Sequence, residues 1–175
     1  MTVVDEISDN CISGLNSNSS MPLLVNDKVS SLIRNYFQRA QQFQISEEII
    51  NSYCNQENVP REMALLQMEE VKRFVCVRAA IDGPARNGIF KIGMSGPVDL
   101  FWHTFLLYSP AYFDFCEHVC GFYIQHSPNP ASMGKEEEVT RLHNLFDCYE
   151  AAFGHEPPKH IWCIDREEIN ARLKS

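Results

Sequence analysis

From Asp27 onward, apolar positions recur at intervals of three and four, the spacing of amphipathic helices. In "DKVSSLIRNYFQRAQQF" the residues Val29, Leu32, Ile33, Tyr36, Phe37 and Ala40 form one stripe, with Asp27 as the expected N-cap. A second, short helix is expected from Ser46, whose hydroxyl would cap "EEIINSYC" ahead of acidic first-turn residues. Pro60 suits the first turn of a third helix, in which Ala64, Met68, Val71 and Val75 share a face and Leu65, Phe74 and Arg78 lie near it. That helix is long enough to cross a domain.

The pattern then breaks at "DGPARNGIFKIGMSGP", which reads as a short hairpin at "IFKI" or as a loop folded over the next helix. Pro97 fits position N1 of a helix over about residues 98–108, and Ser109 and Pro110 restart the chain into a helix that Gly121 can end in a left-handed conformation. A further helix closes at Gly154, "HEPPKHIWCID" reads as extended, and Asp165 caps a terminal helix. The expectation is an all-α fold: one compact domain over residues 27–175, of about six or seven helices, with a Gly/Pro-rich loop before the helix that starts at Pro97. Residues 1–26, rich in Ser and Asn, are expected to be a mobile tail.

Composition narrows the function. A chain of 175 residues with 45% hydrophobic and 22% charged residues fits one soluble domain. A net charge of −8 opposes contact with phosphate backbones, so neither nucleic acid nor anionic membrane is an expected partner. The first 26 residues lack Lys and Arg, no run approaches the roughly 18 apolar residues of a membrane span, and a cytoplasmic location is expected. Seven cysteines, an odd number, argue for free thiols or ligands over a disulfide framework.

Candidate chemistry is concentrated in "GPVDLFWHTFLLYSPAYFDFCEHVCGFYIQHSPN". Asp99 and His103 are four apart and lie one above the other on a helix. Cys116 falls on the next helix, an antiparallel neighbour, and His126 follows the turn at Gly121. The pattern Asp-x3-His-x12-Cys-x9-His supplies the oxygen, nitrogen and sulfur donors that zinc accepts in tetrahedral array. The same residues also admit a plainer reading, since Trp102, Phe105, Leu106 and Tyr112 mark a core and Asp99 can simply bond His103. His118 is expected on the solvated face, Cys120 is a spare thiol, and His143, His155 and His160 are weaker candidates. Tyr112 is expected to pack, with a supporting hydrogen bond as the alternative.

The stretch "VDLFWHTFLLYSPAYFDFC…GFYIQHSPN" resembles the glycine-rich domain-containing protein-like family, through Val98, Asp99, Trp102, His103, Tyr112, Cys116, Gly121, His126 and Pro128. The resemblance spans about residues 65–163. It departs from the family at Phe105, where many members carry a second histidine, and in lacking the glycine-rich region. It implies an α-helical domain with Asp99, His103, Cys116 and His126 as its polar positions, and supplies no substrate.

Three functions are compatible with this pattern. A closed zinc site would brace a binding or adaptor domain that meets a protein or small-molecule partner. An open site would activate water in a metal-dependent hydrolase, or Cys116 with a histidine would form a nucleophile and base. A purely interaction-based protein would need neither.

Overall fold

The structure, a computed structural model, describes residues 27–83, 90–127 and 132–174. The expected mobile tail lies outside them. The chain forms α1 (Asp27–Gln42), α2 (Glu47–Glu57), α3 (Arg61–Asp82), α4 (Pro97–Leu107), α5 (Ser109–Cys120), α6 (Lys135–Phe153), α7 (Lys159–Trp162) and α8 (Arg166–Ala171). No strand occurs among the described residues, so the all-α expectation holds and residues 90–96 are a loop without a hairpin. Among the described residues, no helix is long and apolar enough to cross a membrane.

α3 is the axis of the domain, packing against α1, α2, α4, α5, α6 and α7. Its sequence explains why. Phe74, Val75, Cys76 and Val77 are successive and all buried, so apolar residues occupy every face of that turn and neighbours must surround it. α1, by contrast, buries one stripe through Val29, Ile33 and Ala40.

Glu70 and Tyr53 tie helices together through polar pairs inside this core. Glu70 of α3 accepts from Tyr149 of α6 and from the Trp162 indole of α7, both at 2.8 Å, while Arg73 reaches its other oxygen at 2.8 Å. The Tyr53 hydroxyl lies 2.9 Å from Gln67 Oε1 and 3.1 Å from the Pro97 carbonyl, which anchors the start of α4 to α2 and α3. Gly96, the N-cap of α4, has φ of 82°, and a Cβ there would sit 2.7 Å from the Trp162 carbonyl oxygen. Only glycine lets α7 pack so closely on the start of α4.

Three local expectations are corrected. The segment read as extended contains α7, which four residues are too few to announce by periodicity and which the buried Trp162 secures. Ser46 takes the N-cap position of α2 but makes no capping bond. Asp27 is the first residue of α1, one place inside the expected cap. Asp165 does cap α8, in a reciprocal capping box with Glu168.

Candidate functional site

Pro97 starts α4, and the helix turns Val98, Phe101, Trp102 and Phe105 into the core. Asp99 and His103 fall at the edge of that apolar face, with side chains 29% and 47% exposed. Gly121 ends α5 at φ 78°, and residues 122–127 return without regular structure to bring His126 over Trp102, ring centroids 4.9 Å apart. Tyr112 holds this return. Its fully buried hydroxyl donates to the Ile124 carbonyl at 2.9 Å and accepts from Trp102 Nε1 at 3.3 Å.

His103 Nε2 lies 2.9 Å from His126 Nε2 and 3.7 Å from Asp99 Oδ1. Both partners therefore approach the same ring nitrogen. A proton relay would instead use the two different nitrogens of the middle imidazole. The separations straddle the about 3.3 Å between neighbouring donors of a tetrahedral zinc site. Among the described residues, no three His, Cys, Asp or Glu side chains stand already assembled as a metal-holding group.

Burial raises the Asp99 carboxyl, against the pull of His103 and His126. Burial and then the nearby His103 hold His126 below its ordinary value, with Asp99 opposing. A depressed imidazole is neutral at physiological pH, the form that binds a metal or accepts a proton.

Cys116 is not brought into this cluster. It lies fully buried beside Tyr112 and the Ile124 backbone, off the wall of the cavity described below, and burial pushes its thiol up. A buried, protonated thiol is a poor nucleophile. The spare thiol, Cys120, is pushed up to about 11, mainly by burial, and its sulfur bonds the Cys116 and Phe122 carbonyls. His118 sits on the exposed side of α5, as expected, and bonds the Arg39 carbonyl at 3.2 Å. Among the other histidines, His143 pairs with Asn170 and His155 with the Glu156 carbonyl, both outside the cluster.

Asp99, His103 and His126 open onto a cavity of about 710 Å³ bounded by α3, α4, the 90–96 loop and residues 122–127. The loop is tied to α6, where Gly93 N–H donates to the Arg141 carbonyl and Asn144 to the Lys91 carbonyl, each at 2.9 Å. Phe74, Trp102 and Phe122 supply apolar wall, and Arg78, Lys91 and Asp82 supply charge. Arg78 lies over the Trp102 ring at 5.6 Å. Its Nε is 3.1 Å from Asp82 Oδ2 but out of line for a hydrogen bond, so this buried donor is unsatisfied. An unmet buried donor costs about 1–3 kcal/mol.

Sequence reasoning missed this wall. Arg78 reads there as a charge bordering an apolar stripe, and the signal that could have exposed it is the lone cation in "VCVRAAID", with Asp82 one turn on.

The chain belongs to the UCP032817-like family, which it matches over residues 28–171, from the second residue of α1 to the last of α8. No curated protein and no solved structure matches it. The family match replaces the resemblance to glycine-rich domain proteins. It includes α1 and α2, which that resemblance left out. The shared stretch also has a local explanation: Val98, Trp102, Tyr112 and Cys116 are core positions and Gly121 is a helix terminator, so the pattern describes how one helix pair packs.

Proposed function

We propose that this is a cytosolic protein with a zinc-type metal centre formed by Asp99, His103 and His126, open on one side to the cavity and suited to metal-assisted hydrolysis of a small molecule. The observation that carries the reading is the convergence of Asp99 Oδ1 and His126 Nε2 on His103 Nε2, at 3.7 and 2.9 Å. Shifts of a few tenths of an ångström would equalise those separations at tetrahedral spacing. Two imidazoles and one carboxylate are a donor set that zinc accepts, and three protein ligands leave a fourth position for water.

Such a metal, when bound, lowers the pKa of its water into the neutral range. The protein's own part is to present His126 as a neutral imidazole, to brace it through Tyr112 and Ile124, and to offer a cavity beside the site. The alternative of a closed structural site needs a fourth donor, and Cys116 lies buried away from the cavity. The cytosolic part of the proposal draws on the six described cysteines, all free, which suit a reducing compartment.

The test is zinc binding by calorimetry and elemental analysis. One equivalent is expected for wild type and for Cys116→Ser, and none for His103→Ala or His126→Ala. Binding that survives both histidine changes would overturn the proposal.

A further inference from the structure

We propose that the cavity takes a small organic oxyanion, a carboxylate or phosphate monoester with an apolar body, its charged group held by Arg78 and Lys91. This deepens the reading above by naming a class of substrate. It rests on that reading for the reaction and not for the binding.

The ion-paired arginines Arg166, Arg73 and Arg61 each also hydrogen-bond a carboxylate they meet, Arg166 with Asp147, Arg73 with Glu70 and Arg61 with Glu47. Arg78 has one carboxylate within reach, Asp82, and its Nε does not align with it. The side chain is 14% exposed and lies over the Trp102 ring at 5.6 Å, which places a largely buried cation at a cavity wall. A planar guanidinium with spare donors matches carboxylate or phosphate oxygens.

Lys91 is exposed on the same wall and stands in no ion pair among the described residues. Phe74, Trp102 and Phe122 offer the apolar surface for the rest of the molecule. The volume, about 710 Å³, falls within the range of small-molecule sites. Arg78 lines the same cavity as His103 and His126, so an oxyanion seated on it shares that space with the histidine pair.

The test titrates phenyl phosphate and benzoate into the full chain stripped of metal with chelator, following the Trp102 indole N–H by NMR. At least one of the two is expected to saturate, with the preferred probe identifying the anion. Arg78→Met should weaken it at least tenfold at unchanged helicity. Asp82→Asn, which removes the competing carboxylate, should tighten it severalfold, and this arm decides alone if Arg78→Met fails to fold. No saturable binding of either probe, an Arg78→Met protein that binds like wild type, or weaker binding by Asp82→Asn would overturn the inference. Zinc binding without anion binding overturns this inference and leaves the metal centre standing. Anion binding without zinc binding does the reverse.

Discussion

Glu70 of α3 and Asp99 of α4 are carboxylates on helices that pack together, and they are treated in opposite ways. Glu70 has a side chain 4% exposed and is saturated, accepting from Tyr149, Trp162 and Arg73 at 2.8 Å. Asp99 is 29% exposed, stands 3.7 Å from His103 Nε2, and has its carboxyl raised by burial. The first arrangement spends its polar capacity within the protein and ties three helices together. The second keeps capacity in reserve at the mouth of a cavity. Polar groups saturated inside a core specify structure, whereas polar groups left short of partners beside a cavity are where a ligand can act.

The widest gap between the two should appear in stability. Glu70→Ala strands the Tyr149 hydroxyl, the Trp162 indole and Arg73, and should cost about 3–5 kcal/mol in urea unfolding. A cost below about 1 kcal/mol would erase the distinction. Tyr112→Phe removes one donor to Ile124 and one acceptor for Trp102, for a cost of about 1–2 kcal/mol. Because Tyr112 braces the segment carrying His126, zinc affinity should also fall by about 10–100-fold in calorimetry.

His103→Ala is expected to leave metal-free stability within about 0.5 kcal/mol of wild type, since the ring is half exposed. The smallest effect is on pH dependence. His126 is held below its ordinary 6.5, so in the window just under that value the unfolded chain binds more protons and stability falls as pH drops. Asp99 is raised above 3.8, so from there into its raised range the folded chain holds the extra proton and stability falls as pH rises. His126→Gln should remove the first slope in thermal unfolding scans and leave the second.

Much of this architecture was legible because helices announce themselves locally. The stripe of α1, Pro97 opening α4 and Gly121 closing α5 each follow from period or backbone freedom. The Asp99 and His103 pairing was legible for the same reason, being one turn of one helix. The approach of His126 depends on Tyr112 seizing the Ile124 carbonyl, a contact across twelve residues that no periodicity encodes. Cys116 has a residue type that suits zinc, and its place on the same helix face as Tyr112 buries it in the core. Arg78 belongs to a cavity that exists only once α3, α4 and the 90–96 loop have met.

The central claim, that a metal is held by Asp99, His103 and His126 without a thiolate, is tested most directly by cobalt(II) absorption. Titration of the metal-free protein should develop visible d–d bands of a low-symmetry site, with no thiolate-to-cobalt charge-transfer band in the near ultraviolet. His103→Ala should abolish those bands and Cys116→Ser should preserve them. A charge-transfer band that Cys116→Ser removes, or no cobalt binding at all, would contradict the account.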